Sequence, residues 1–291
     1  MNPVLVTGAN GMFGSTVANL LRAQGRPVVA WTRLDADLRD PASLCELVRR
    51  TRSKTVIHCA AWTDVDGAET APEECRTINV EASRELARGA RETAATFVYI
   101  SSGGIFDGRK RTPYDENDPP GPLSVYHRSK YDGEQAVRAH CPQTLIVRLG
   151  WMFGGGAGLR KNFVAARIQE AFGQAVIRSS TEQSGSPTWA EDAALRLVQL
   201  LERGATGVHH VANEGMASRF DYVSAILATA GSPTRVAPAP AGAFHRQAPV
   251  PANEALTSVR LGEVDLPPLR PWREALAAYL SKGIPAAMVR R

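Results

Sequence analysis

The chain has 291 residues, with 34 Lys and Arg against 29 Asp and Glu for a net charge of +5. That length supports a substantial core in one large domain, or in one domain with a lobe; the modest positive excess, without a long basic run, favours attraction of a phosphorylated ligand over nucleic-acid binding. No stretch approaches the roughly 18 apolar residues of a spanning helix, the chain starts directly in a strand without the look of a signal peptide, and Cys45, Cys59, Cys75 and Cys141 lack paired metal-ligand spacing, so the expectation is a cytoplasmic protein, off the membrane, with reduced thiols, a disulfide between two of them staying open.

An apolar run, Val4 to Val6, is followed at once by Gly8, Gly11 and Gly14, and then by VANLLRAQG with helical apolar spacing. Strand, tight glycine turn and helix is the context of a dinucleotide-binding loop. Glycine lets the backbone approach a pyrophosphate, and the helix N-terminus offers free N–H groups and a favourable dipole. The spacing is G-x-x-G-x-x-G, and Gly8, Asn10, Gly11, Met12, Phe13 and Gly14 are the expected cofactor contacts. Gly25 ends the helix, and residues 27–31, PVVAW, form the second strand. An acid just after that strand would bond the adenosine ribose 2′-hydroxyl and repel a 2′-phosphate. Here Trp31-Thr32-Arg33 places a cation there, which favours NADPH, with NADH as the alternative. Asp37 and Leu38 are candidates to flank the adenine; Asp37 alternatively caps the nearby turn.

Asp40 and Pro41 mark the next helix start, leading through CELVRRT to a third strand, TVIHCA. Residues 60–69, AAWTDVDGAE, read as a polar loop at the carboxyl end of that strand, where ligands sit. Thr70 and Pro72 open a helix continuing over CRTINVEASRELARGARE, followed by strand ATFVYIS and a long Gly-, Pro- and Asp-rich loop. Helix SVYHRSKYDGEQAVRAH, strand TLIVRLGWMF and a glycine-rich segment, GGGAGLRKNF, come next, the last opening a substrate-facing lobe. The remainder reads as helix FVAARIQEAFG; helix SPTWAEDAALRLVQLLERG with a capping box of Thr188 and Glu191; strand VHHVAN; and helix FDYVSAILATAG capped by Ser218 and Asp221. Residues 231–254 read as extended or looping structure, and PLRPWREALAAYLSKG as a last helix in which Trp272 packs on the lobe or on a second subunit. This alternation predicts an α/β fold: a Rossmann-type doubly wound parallel sheet over residues 1–150, completed by parts of 188–230, with a smaller interleaved C-terminal substrate lobe from 151–187 and 231–291.

Tyr126 and Lys130 form Y-x-x-x-K on one helix face, downstream of Ser101 and Ser102 at the end of the fourth strand. Together with the glycine turn, this ordered set resembles the extended short-chain dehydrogenase/reductase family. AAWTDVDGAE, Asn79, IFDG, RLGW, PTWAEDAA and PWREAL extend the likeness over nearly the whole chain, which resembles the dTDP-4-dehydrorhamnose reductase family. The resemblance implies NAD(P)H-dependent reduction of the C4 keto group of a nucleotide-linked 4-keto-6-deoxysugar to the 4-hydroxy sugar. Ser102, Tyr126 and Lys130 would be the catalytic residues, Tyr126 and Lys130 also lying against the cofactor. Lys130 would lower the Tyr126 pKa and hold the nicotinamide ribose. Ala60 and Ala61 would supply backbone beside the cofactor, Trp62 would lie near the nicotinamide or sugar, Trp151 would line the substrate pocket, and Asn79 would be structural or part of a proton relay. The partner implied is a nucleotide-diphosphate sugar, and such enzymes often form homodimers.

Two departures leave the exact sugar open. The family's S-T-D-Y-V-F is here Ser101-Ser102-Gly103-Gly104-Ile105-Phe106, and its R-P-x-x-S-x-L is Val250-Pro251-Ala252-Asn253-Glu254-Ala255-Leu256. Ser102, Gly103 and Trp151 are the expected sugar contacts; Arg160, Lys161 and Arg246 are candidates for the substrate diphosphate. No metal is expected: His58 and Cys59, adjacent on a strand, face opposite ways, and His209 and His210 read as structural residues near a strand end. A nucleotide-sugar epimerase or dehydratase on the same fold, and a non-catalytic dinucleotide-binding regulatory subunit, are the rival readings.

Overall fold

The computed structural model describes residues 2–156, 159 and 161–282; Arg160, expected to meet the substrate diphosphate, lies outside the described residues. The first half alternates as the apolar runs require. Strands β1 (Val4–Thr7), β2 (Val28–Trp31), β3 (Thr55–His58), β4 (Thr96–Ser102) and β5 (Leu145–Leu149) are separated by helices α1 (Met12–Ala23), α2 (Leu44–Thr51), α3 (Val65–Thr70), α4 (Pro72–Arg76), α5 (Ala82–Glu92) and α6 (Val125–His140). There follow β6 (Trp151–Phe153), α7 (Phe163–Ala171), β7 (Val176–Ser180), β8 (Ser184–Gly185), β9 (Pro187–Trp189), α8 (Ala190–Glu202) and β10 (Gly207–Val211). The chain closes with β11 (Ala217–Ser218), α9 (Arg219–Thr229), β12 (Arg235–Ala239), β13 (Asn253–Glu254) and α10 (Trp272–Ser281).

The main sheet is parallel, in the order β10-β5-β4-β3-β1-β2. Helices cover both faces, so its strands are largely apolar without alternation, with Ser101, Arg148, His209 and His210 among the buried polar exceptions. On one face Val17 and Leu21 of α1 meet Ala193 and Leu197 of α8; on the other, Leu44 and Val48 of α2 meet Leu86 and Ala90 of α5. The strand order reverses between β1 and β3, and the crevice beyond their carboxyl ends is where this architecture binds a ligand. The lobe has its own aromatic core on α7, α9 and α10. Trp272 packs edge-on against Tyr222, with centroids 5.8 Å apart at 88°, so of its two expected placements the lobe is the observed one.

Several expected elements differ. The polar loop 60–69 contains α3, because the Asp64 carboxylate accepts the Gly67 N–H at 3.1 Å and caps it. Thr70 ends that helix instead of opening the next, its hydroxyl donating to the Gly67 carbonyl. The helix expected to run on from there is interrupted by a π segment, Thr77–Glu81, between α4 and α5. The Thr188–Glu191 capping box does not form: pairing with β6 holds Thr188 in β9, its hydroxyl donates to the Ser186 carbonyl at 2.9 Å, and Trp189 takes the N-cap position without a side-chain bond. The Ser218–Asp221 box does form. The strand TLIVRLGWMF divides at Gly150 into β5 and β6, the second leaving the main sheet to pair with β9. His209 and His210 lie in β10, His210 one residue from its end. The four cysteines are free thiols.

Candidate active site

The glycine turn is shaped by contact. Gly8 adopts φ +64°, and a Cβ there would stand 2.8 Å from the Ala60 backbone; a Cβ at Gly14 would stand 2.2 Å from the Gly8 carbonyl oxygen. The β1–α1 turn is therefore pressed against the chain leaving β3. The N-cap of α1, Gly11, brings no side-chain bond, and the first turn carries no acid, so its N–H groups suit a pyrophosphate. Phe13 is buried in the core beside Val17, which leaves its backbone for such a contact, while Asn10 is exposed at the rim.

After β2, Arg33 is exposed. Asp35 turns back onto Thr32, accepting its N–H and hydroxyl at 2.8 Å each. Asp37 takes Arg39 in an ion pair at 2.6 Å and accepts its backbone N–H at 3.0 Å, as a turn cap does, and those bonds hold its carboxyl down to about 2. Leu38 packs partly into the core beneath.

At the end of β3 the Ala60 N–H donates to Thr7 Oγ1 at 3.2 Å, and Thr7 Oγ1 lies 2.7 Å from His58 Nδ1. His58 Nε2 lies 3.1 Å from Ser83 Oγ, whose hydroxyl donates to the Asn79 carbonyl. Burial pushes His58 down to about 3, so the ring is a neutral link. Asn79 sits in the π segment and clamps the neighbouring loop: its Oδ1 accepts the Trp62 N–H at 2.8 Å, and its Nδ2 donates to the Trp62 carbonyl at 3.2 Å and to Ser129 Oγ at 2.8 Å. Of the roles open to Asn79, this geometry supports the structural one. The Trp62 indole itself donates to the Asp64 carbonyl at 2.7 Å. Cys59, its thiol pushed up to about 12 by burial, stays protonated.

Ser102 ends β4, and its Oγ accepts the Gly104 N–H at 3.1 Å. That bond uses a lone pair and leaves the O–H to donate. Tyr126 and Lys130 stand one turn apart on α6, whose N-terminus packs on the 3₁₀ turn Gly103–Ile105. Lys130 is buried, with Nζ 4.1 Å above the Tyr99 ring centroid. Burial lowers its pKa to about 7, against an opposing pull from Glu134. The Tyr126 phenol is pushed upward, by burial first and then by Cys75 and Glu254. The expected lowering by Lys130 is not seen: the lysine nitrogen lies over the Tyr99 ring instead.

On the lobe side Trp151 lies flat on Gly185, where a Cβ would fall 2.3 Å from the indole. Its Nε1 is buried without a hydrogen-bond partner among the described residues. The Arg219 guanidinium sits 3.4 Å from the Trp151 ring centroid and 5.1 Å from that of Phe163. Burial draws Arg219 down to about 10 despite Glu254 nearby. Arg246 is not a free cation, since it pairs with Asp66 of α3 at 3.6 Å, and Lys161 donates to the Thr63 hydroxyl. Gly103 is buried, and its side-chain direction is blocked by the Glu254 carbonyl, 2.9 Å from a Cβ placed there; only its backbone remains for a ligand.

His127, Arg219 and Glu254 were not foreseen as site residues. His127 carries a signal, being the neighbour of Tyr126 inside Y-x-x-x-K; Arg219, the first residue of a capped helix, carries none. Among the described residues no group of three or more His, Cys, Asp or Glu is placed to hold a metal, and no helix is long and apolar enough to cross a membrane.

The RmlD substrate binding domain family model matches residues 1–284. The chain is 38% identical over 284 residues to dTDP-4-dehydrorhamnose reductase of Mycobacterium tuberculosis, covering 96% of this chain and 92% of that one. It is 35% identical over 274 residues to dTDP-4-keto-6-deoxy-D-glucose reductase of Streptomyces niveus, covering 94% of each. The crystal structure of dTDP-4-dehydrorhamnose reductase from Bacillus anthracis in complex with NADP superposes with a TM-score of 0.92 at 28% identity, over 97% of this chain and 99% of that one.

Proposed function

This chain belongs to the RmlD substrate binding domain family, and we propose on that ground that it reduces the C4 keto group of a nucleotide-linked 4-keto-6-deoxysugar, dTDP-4-dehydrorhamnose or a close relative, to the 4-hydroxy sugar. What supports the reading is that Ser102 ends β4 and that Gly104, two residues on, lies against His127 of α6, the helix that carries Tyr126 and Lys130. Bound NADPH supplies the hydride. Tyr126 gives its proton to the oxygen that becomes an alkoxide at C4. Burial keeps that phenol protonated until the developing negative charge draws the proton away. The free O–H of Ser102 donates to the same oxygen and stabilises charge as it forms. Lys130, with a pKa near 7, is suited both to donate to the cofactor ribose and to return a proton to Tyr126 at neutral pH.

The β1–α1 turn with Ala60, Ala61 and Trp62 holds the dinucleotide, and Arg33 faces the 2′-phosphate. NADPH is favoured because the acids after β2 are already committed to Thr32 and Arg39. Residues 1–150 with α8 and β10 form the cofactor-binding domain; most of the remainder forms the substrate lobe. There Arg219, stacked on Trp151, supplies a guanidinium for the substrate diphosphate, with Arg246 and Lys161 at its border.

The test is purified protein with NADPH or NADH and a panel of nucleotide 4-keto-6-deoxysugars. Loss of reduced-nicotinamide absorbance, stoichiometric with a product hydroxylated at C4, is expected. Conversion with no net nicotinamide oxidation would mark an epimerase or dehydratase instead.

A further inference from the structure

Gly104 has no room for a side chain, and the group that fills its space is chemically active. A Cβ placed there would fall 2.1 Å from His127 Nε2 and 2.4 Å from its Cδ2. The imidazole and any side chain at position 104 therefore exclude one another. His127 is 4% exposed and meets the neighbouring Tyr126 edge-on, with ring centroids 5.0 Å apart.

The proton on this ring can be placed by counting donors. His127 Nδ1 lies 2.9 Å from Ser124 Oγ, which also accepts the His127 backbone N–H at 3.2 Å. Ser124 is fully buried, and its hydroxyl proton has no other acceptor among the described residues. The hydroxyl therefore donates to Nδ1, and the neutral ring carries its proton on Nε2. Burial and Arg246 favour that neutral form; Glu254 and Glu69 oppose them, and the net shift is downward. Nε2–H has no acceptor among the described residues, yet the atom is not sealed away as a buried orphan. The ring lies between Gly104, two residues after Ser102, and the Tyr126 phenol ring.

We propose that His127 is a specificity-determining residue, its Nε2–H donating a hydrogen bond to the sugar oxygen next to the carbon being reduced. With Tyr126 addressing the C4 oxygen, connectivity makes the C3 hydroxyl the nearest such acceptor. His127 thus offers, from the first turn of α6, a polar contact that the paired glycines after Ser102 withhold. The inference rests on the keto-sugar reductase reading above.

The test compares wild type, His127→Phe, which keeps a ring without the donor, and His127→Gln, whose amide nitrogen reaches close to the position of Nε2. Each is assayed with the 3-hydroxy keto sugar and with its 3-deoxy analogue, and NADPH binding is measured by fluorescence. His127→Phe is expected to raise KM for the 3-hydroxy sugar about tenfold, the worth of roughly one hydrogen bond, while kcat stays within about threefold and NADPH affinity is unchanged. His127→Gln is expected to recover most of the loss, and the 3-deoxy analogue to be used equally well by wild type and His127→Phe. A wild-type KM in His127→Phe, or equal damage to NADPH binding in both variants, overturns the inference alone. A wild-type enzyme inert toward every keto sugar in the panel overturns the functional reading and this inference with it.

Discussion

Tyr126 and His58 show how burial acts on single groups in this site. The Tyr126 phenol is pushed upward by burial, which suits a proton donor at neutral pH. Tyr126→Phe removes only the hydroxyl; turnover should fall by roughly a hundredfold or more, while NADPH affinity in a fluorescence titration stays within about twofold. His58 titrates at about 3 in the fold against 6.5 for the free side chain. Between those values the unfolded chain binds more protons, so stability is lost as pH falls from about 6.5 toward 3. In urea melts from about pH 4 to pH 6, the unfolding free energy of wild type should gain on that of His58→Asn by up to about 1.4 kcal/mol per pH unit. A constant difference across that range would show that His58 is not held neutral. Sequence marked Ser102, Tyr126 and Lys130 because their spacing survives in one dimension. It was silent on Arg219 and ambiguous on Asp37, because their roles depend on which partner the fold brings near.

The first βα unit makes its case at the level of the element. Gly14 faces the Gly8 carbonyl so closely that a Cβ would stand 2.2 Å from its oxygen, and the glycine turn has no slack to absorb it. Gly14→Ala should weaken NADPH binding at least tenfold and lower the melting temperature. Gly242→Ala, where nothing lies within 4 Å of the added carbon, should change neither. Unchanged NADPH binding in Gly14→Ala would mean that the turn does not cradle the cofactor. Apolar periodicity found the long elements because each buries a broad face. It missed α3, since VDGAET buries only Ala68 and its start is set by the Asp64 cap. The π segment was equally hidden: its sequence is ordinary, and its extra residue accompanies the bonds of Asn79 to Trp62 and Ser129, which lie far apart along the chain.

Across the whole molecule, one buried polar chain joins α6 to the far edge of the sheet and the C-terminal segment. The Ser101 hydroxyl and the Arg148 guanidinium both bond the fully buried Glu134, the arginine through two nitrogens at 3.0 and 2.8 Å. Arg148 reaches His210 at 3.4 Å, and the His210 ring meets the Thr257 carbonyl at 2.9 Å. Arg148→Met would strand the Glu134 carboxylate in the core and should cost about 3–5 kcal/mol in urea denaturation. Adding Glu134→Leu should restore much of that loss, and an undiminished loss in the double variant would refute the pairing argument. By itself the sequence determined the α/β alternation and the glycine turn, and it marked Ser102, Tyr126 and Lys130 by motif and resemblance, because these are written in short-range periodicity and spacing. Only the tertiary structure decided that Lys130 lies over Tyr99, that Arg219 lies over Trp151, and that His127 fills the space beside Gly104. Those are contacts between distant segments, fixed by packing and by the cost of leaving a buried polar group unpaired.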